Sequence, residues 1–268
     1  MRCAAREARR ARCPGGSPDA GRAFEVALSQ TKRASSGQWL VLLALVAGAA
    51  VLTSIGLIFF YAPIEKTLGP AQKIFYFHVP AAWGMYVGTG LCAIASVVFL
   101  VTRKDGADAF AAASGSVALL FGILLMLTGP MWAKTAWSVW WSWEPRLTSA
   151  LVLFLILAAY AVLRRASERS PGLARFAAAL AVVGALDLPI IHLAVKKWRG
   201  NHPTVIGKDG GGITSEMALT LGIAVGAFTL LLVVLLALRY RVEVARRDVA
   251  RLAAAEALRS DEPVAGGR

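Results

Sequence analysis

Residues Met217–Leu238 read MALTLGIAVGAFTLLLVVLLAL, a run without a single charged side chain. A helix needs about 17–25 mainly apolar residues to cross the hydrocarbon core of a bilayer. Other runs of this kind precede it in the chain: Trp39–Tyr61, Val79–Thr102, Ala109–Ala133, Leu147–Leu163 and Phe176–Val195, of which only the last contains a charge, Asp187. None shows the period-two alternation of a transmembrane β-strand. We therefore predict an all-α integral membrane protein with six transmembrane helices.

The composition excludes several classes of soluble protein. Of the 268 residues, 57% are apolar and 17% charged, against about 45–50% and about 25% in an ordinary soluble domain. Disordered chains and ordinary cytosolic enzymes are disfavoured on these grounds. The three cysteines, Cys3, Cys13 and Cys92, show neither a disulfide framework nor the CxxC spacing of redox and zinc sites.

The distribution of lysine and arginine along the chain predicts its orientation in the membrane. Cytoplasmic loops of membrane proteins carry an excess of these residues. Of the 29 basic residues, 21 fall in the N-terminal segment, the second and fourth loops and the C-terminal tail. Both termini are therefore predicted in the cytoplasm, and the net charge of +13 is assigned to anionic lipid head groups rather than to nucleic acid. The predicted organisation is a disordered cytoplasmic extension (1–38) that is not a cleavable signal peptide, a six-helix domain (39–238) and a basic cytoplasmic tail (239–268).

Tryptophan and histidine gather on the predicted outer side. Seven of the eight Trp residues and all three His residues fall there: Trp83, Trp132, Trp137, Trp140, Trp141, Trp143, Trp198, His78, His192 and His202. An aromatic belt would occupy both interfaces. A one-sided cluster favours instead a broad planar aromatic surface for a large, flat, apolar ligand.

The spacing within this cluster predicts a short helix. Trp137, Trp140, Trp141 and Glu144 follow the i, i+3, i+4, i+7 pattern of one helix face. The helix is expected to lie flat at the outer surface between the third and fourth spans, and to end at Pro145.

Two histidines are candidate ligands for haem iron. His78 and His192 lie at similar predicted depth on different helices, and imidazole is a common axial ligand of haem. They could approach one haem from opposite faces, although a structural or pH-responsive role stays open. His202 is predicted to be a surface residue.

Charged residues near the histidines offer further contacts. Arg146 is a candidate partner for haem propionates, and Lys196 or Lys197 could pair with propionates or with lipid head groups. Asp187 is the one acid within a span, where carboxylates are costly and mark function. It could orient His192 or reach water, and the sequence does not decide between them.

Three motifs carry a resemblance to a known family. They are WSVWWSWEPRLTS at Trp137–Ser149, FHVPAAW at Phe77–Trp83 and LPIIH at Leu188–His192. The first resembles the tryptophan-rich signature of the haem-handling protein superfamily. The three in this order resemble the haem exporter protein C (CcmC) family of System I cytochrome c maturation. In the family pattern, Gly usually stands at the place of Ser138 and Asp at that of Glu144.

The resemblance implies a function and a set of partners. Haem b would be held at the periplasmic face of the bacterial inner membrane by His78 and His192, over Trp137, Trp140, Trp141 and Trp143, with Arg146 in contact. It would be transferred to a periplasmic haem chaperone, alongside an ABC-type ATPase and its membrane subunit. Glu144 is a possible partner or haem contact. The chain would then be a haem-binding and transfer subunit rather than an enzyme.

Two other functions agree less well with the sequence. A haem lyase that attaches haem to apocytochrome c would belong to the same superfamily, but such relatives have more helices and more histidines. A solute permease would be expected to carry polar residues near the membrane midplane, whereas the polar residues here gather at one surface.

Overall fold

A computed structural model describes residues 18–66, 68–166, 170–198 and 213–260. Within them the chain is helical, with no strand. The helices are α1 (Pro18–Gly56), α2 (Phe75–Thr102), α3 (Asp105–Trp137), α4 (Pro145–Ala166), α5 (Pro171–Ala185), α6 (Asp187–Lys197) and α7 (Ser215–Ser260). A π-helical turn, Leu57–Tyr61, extends α1, and a short 3₁₀ helix, Pro70–Ile74, leads into α2.

The described chain contains 6 helical segments long and apolar enough to cross a membrane. They are Gly37–Tyr61, Pro70–Thr102, Asp105–Trp137, Pro145–Ala166, Gly172–Ala194 and Ser215–Ala254. The predicted all-α fold with six spans is therefore confirmed.

Two helices extend beyond the predicted spans. Helix α1 begins at Pro18, within the segment 1–38 that the composition predicts to be disordered, and residues 1–17 lie outside the described chain. Helix α7 has 46 residues, which at about 1.5 Å per residue is about 69 Å, roughly twice the hydrocarbon thickness. The expected boundaries at 38 and 238 thus fall inside continuous helices, and the domain organisation stays a prediction.

The fifth span consists of two helices. Helix α5 ends at Ala185 and α6 begins at Asp187, with Leu186 between them. Pro189 explains the interruption, because it lacks the N–H that would bond to the carbonyl of Ala185 in a continuous helix. Asp187 consequently occupies the first turn of α6, where a carboxylate is stabilised by the helix dipole.

The chain divides into two compact units, residues 1–45 and 46–268. Of the first, the structure describes the N-terminal part of α1. The core of the second unit contains buried residues of α2, α3, α4 and α7, among them Met85, Phe121, Leu153 and Phe228.

Helices α2 and α3 approach closely through glycine. A Cβ atom added to Gly84 would lie 2.4 Å from Cδ1 of Phe121, and one added to Gly88 would lie 2.9 Å from Cβ of Ala118. Neither distance is compatible with a side chain. The ring of Phe121 packs on Gly84, and the two backbones meet at Gly88, where the added Cβ would lie 3.0 Å from Cα of Ala118. This antiparallel contact brings the first turns of α2, with His78, beside the last turns of α3.

Candidate functional site

The tryptophan-rich segment between α3 and α4 is not a helix. Helix α3 ends at Trp137, and Ser138 adopts a left-handed conformation with φ 62°. Residues 138–144 are irregular until Pro145 begins α4. The predicted short helix through Trp137 and Glu144 is therefore wrong, because a left-handed residue ends the α-helical path directly after Trp137. Lys134 donates from Nζ to the Ser138 carbonyl at 3.1 Å and satisfies one group at this helix end.

His78 lies in the second turn of α2 and contacts α3. Its Nδ1 is 3.0 Å from Oγ1 of Thr128. The neighbouring Gly129 leaves room for the imidazole, since a Cβ atom there would lie 3.3 Å from Cε1 of His78. Thr128 and Gly129 of α3 thus fix the position of the ring.

A cavity of about 130 Å³ opens beside His78. Four of the predicted haem-binding residues line it, namely His78, Trp137, Trp141 and Arg146. The sequence did not assign a binding role to several others that contribute mainly apolar surface: Tyr86, Met126, Trp132 and Ile191. Trp132 was within reach of sequence reasoning, since it belongs to the same tryptophan cluster. Ile191 belongs to the LPIIH motif, in which only His192 had a predicted role. Tyr86 and Met126 belong to no motif, and only the packing of α2 on α3 identifies them.

The tryptophan rings stand at steep angles to one another. Trp132 and Trp137 meet edge to face, with ring centroids 5.3 Å apart and planes at 82°. Trp141 and Trp143 do so at 5.9 Å and 74°. The expected single planar surface is therefore absent from the two described pairs. Edge-to-face contact is a preferred geometry for aromatic rings, and it leaves the indoles as separate faces rather than one plane.

Polar atoms without partners occur in this region. The indole N–H of Trp141 is buried and has no hydrogen-bond acceptor in the described chain. One carboxylate oxygen of Asp187, Oδ2, is buried in the same way. Buried polar groups are normally paired in folded proteins, so the unpaired indole fits a site that binds a polar ligand group.

The other predicted site residues do not line the cavity. Trp140 and Trp143 are 60% and 77% exposed, and Glu144 is half-buried. His192 is exposed, whereas the preceding Ile191 lines the cavity. Lys197 is exposed, and His202 and the side chain of Lys196 lie outside the described residues.

No hydrogen bond joins Asp187 to His192 in the described chain. Five residues along a helix correspond to a rotation of about 140°, which explains why the two side chains diverge. The alternative in which Asp187 orients His192 therefore has no support from this geometry.

Comparison with known proteins identifies the family. A family model described as "Heme exporter protein C" matches residues 23–255. The chain belongs to the heme exporter protein C family. Relatives with this name include that of Bradyrhizobium diazoefficiens, 37% identical over 230 residues, which are 84% of this chain and 88% of the relative. That of Paracoccus denitrificans is 32% identical over 215 residues, 79% of this chain and 89% of the relative.

The family match agrees with the motifs. The Escherichia coli K12 relative is 34% identical over 167 residues, 61% of this chain and 67% of the relative. The family membership predicted from the three motifs is thus confirmed. The residues that the family model matches include His78 and the segment 137–146.

Proposed function

We propose that this protein binds haem b beside His78 and delivers it to a periplasmic haem chaperone during cytochrome c maturation. The observation that carries the proposal is the cavity that brings His78, Arg146 and the indoles of Trp137 and Trp141 together. Membership of the heme exporter protein C family supports the same ligand.

The residues of the cavity match the chemical parts of haem. When bound, haem supplies an iron with two axial positions and a macrocycle that carries two carboxylates. His78 offers an imidazole nitrogen to the iron. The guanidinium of Arg146 suits a propionate, and the unpaired N–H of Trp141 is a second donor for a carboxylate. The apolar and aromatic lining suits the edge of the macrocycle.

His192 is the proposed second axial ligand. It follows the lining residue Ile191 directly, and its side chain is exposed. A cavity of about 130 Å³ is smaller than the roughly 300–1,000 Å³ of sites that enclose a drug-sized ligand. Haem would therefore extend beyond the cavity, where exposed residues such as His192, Trp140 and Trp143 can contact it.

Partial enclosure suits a carrier. A ligand that is only partly covered remains accessible to a second protein, so it can be handed over without opening the bundle. The function requires no bond to be made or broken by this chain apart from axial coordination, which distinguishes a transfer subunit from an enzyme. An ABC-type ATPase and its membrane subunit are the proposed partners in the complex.

Haem binding is tested on the protein purified in detergent. His78→Ala and His192→Ala are expected to lose most of the Soret absorbance after haem addition, whereas His202→Ala retains it. Undiminished absorbance in His78→Ala refutes the proposed site. Undiminished absorbance in His192→Ala alone refutes the second ligand and leaves His78 in place.

The proposal places the tryptophan-rich end on the periplasmic side of the inner membrane, with both termini in the cytoplasm. Alkaline phosphatase fused after Trp143 is then expected to be active in bacterial cells. The matched fusion after Ala166, at the other end of α4, is expected to be inactive. The reverse pattern of activity overturns the orientation and the periplasmic delivery with it.

A further inference from the structure

The hydroxyl of Thr128 has one proton, and the structure places that proton away from His78. Oγ1 of Thr128 lies 2.8 Å from the carbonyl oxygen of Leu124, one turn earlier in α3. A carbonyl can only accept, so the hydroxyl donates to it. Oγ1 is also 3.0 Å from Nδ1 of His78. Because its proton is already used, Oγ1 must accept in this second contact, and Nδ1 of His78 must be the donor.

We propose that Thr128 is a positioning residue that holds His78 as the Nδ1–H tautomer. A neutral imidazole carries one proton, so this tautomer puts the lone pair on Nε2. The inference rests on the proposed function, since Nε2 is then the atom that His78 presents to haem iron. Histidine ligands in metal sites commonly donate their other ring N–H to an oxygen, which fixes the ring orientation and raises the basicity of the ligand.

The surroundings of the ring support this role. Gly129 stands next to Thr128, and a Cβ atom there would be 3.3 Å from Cε1 of His78. The imidazole therefore lies against the backbone of α3 while Thr128 holds Nδ1. These two restraints act on one edge of the ring, the edge that contains Nδ1 and Cε1.

Two substitutions separate positioning from packing. Thr128→Val keeps the shape of the side chain and removes the acceptor, whereas Thr128→Ser keeps the hydroxyl. Thr135→Val is the matched control, because Thr135 is exposed on the same helix and its hydroxyl also bonds to α3 carbonyls, at 2.8 Å to that of Trp132.

The tautomer is read in the haem-free protein by ¹⁵N NMR of labelled histidine at a pH where the imidazole is neutral. The His78 signals are assigned by their loss in His78→Ala. The wild type, Thr128→Ser and Thr135→Val are expected to show Nδ1 protonated, and Thr128→Val a larger share of the Nε2–H form. An Nε2–H tautomer in the wild type overturns the proposal whether or not any variant folds.

The consequence for the ligand is read in the haem-loaded protein. Loss of such an outer partner commonly weakens metal binding by about 10–100-fold. Thr128→Val is expected to weaken haem binding in this range and to raise the reduction potential of the bound haem, because a less basic imidazole stabilises the ferric form less, and Thr128→Ser is expected to restore both. If neither the haem affinity nor the reduction potential changes in Thr128→Val while His78→Ala loses haem, Thr128 has no positioning role and the proposed function stands. If His78→Ala keeps its haem, the proposed function fails, and the NMR result still decides the tautomer.

Discussion

Asp108 and Arg164 form a bidentate ion pair. The distance from Nη1 of Arg164 to Oδ1 of Asp108 is 2.6 Å, and that from Nη2 to Oδ2 is 3.0 Å. Arg247 of α7 adds a contact of 2.8 Å to Oδ2. Asp108 is 6% exposed, so one buried carboxylate links α3, α4 and α7. Asp108 and Thr128 are separated by about 30 Å along α3, so this ionic cluster lies at the opposite end of the bundle from His78.

Asp108→Asn is expected to destabilise the protein strongly. The substitution removes the carboxylate charge that pairs with Arg164 and Arg247, and breaking a buried pair in this way costs about 3–5 kcal/mol. The control is Asp105→Asn, which removes the ion pair between Asp105 and Arg251. The side chain of Asp105 is 68% exposed and that of Arg251 is 61% exposed. Exposed pairs contribute about 0–1 kcal/mol. Thermal unfolding in detergent measures the loss of stability in each variant. Equal losses in Asp108→Asn and Asp105→Asn would contradict the structural role of the cluster.

Gly88→Ala is expected to loosen the contact between α2 and α3. The new Cβ would lie 2.9 Å from Cβ and 3.0 Å from Cα of Ala118, and backbone atoms cannot rotate away. Overpacking of this kind costs about 1–3 kcal/mol. Gly90→Ala on the same helix meets nothing within 4 Å and is expected to be neutral or slightly stabilising, since Ala has the higher helix propensity. The unfolding temperatures of the two variants should therefore differ, and similar values would show that the helices do not meet at Gly88.

Ser138→Gly is expected to stabilise the turn after α3. Ser138 has φ 62°, a conformation that costs residues with a Cβ atom about 1–2 kcal/mol and that glycine adopts freely. Glycine also has more conformational freedom in the unfolded chain, which offsets part of the relieved strain. We therefore expect a net gain of about 0.5–1 kcal/mol in the free energy of unfolding. Ser138→Ala keeps the strain and should give no gain. A rise in unfolding temperature for both variants would assign the effect to the lost hydroxyl instead.

Much of the fold is predictable because the membrane requires long apolar runs. The run Met217–Leu238 marks the last span, but it does not show where α7 ends. The residues that follow are rich in Arg and Ala, which favour helix in water as well. Arg239 and Glu243 pair at 2.6 Å across one turn. A charge therefore ends the apolar run without ending the helix.

The candidate site is predictable only in part. His78, Trp137, Trp141 and Arg146 belong to motifs, and the cavity brings them together. The irregular path of 138–144 depends on one left-handed serine, and serine has no general preference for that conformation. Thr128 is 50 residues from His78, and only the close packing of α2 on α3 makes them neighbours.

Trp141→Phe is expected to weaken haem binding without lowering the stability of the haem-free protein. The indole N–H of Trp141 is buried without an acceptor in the described chain, so its removal relieves a cost of about 1–3 kcal/mol that offsets the smaller ring. With haem bound, a hydrogen bond to a charged propionate contributes about 1.5–3 kcal/mol, so its loss weakens binding about 10–100-fold. Trp39→Phe is the control, because Trp39 is 72% exposed, does not line the cavity and has no proposed contact with haem. Haem titration followed by absorbance measures both affinities. Equal affinities of Trp141→Phe and the wild type would show that this N–H does not contact the ligand.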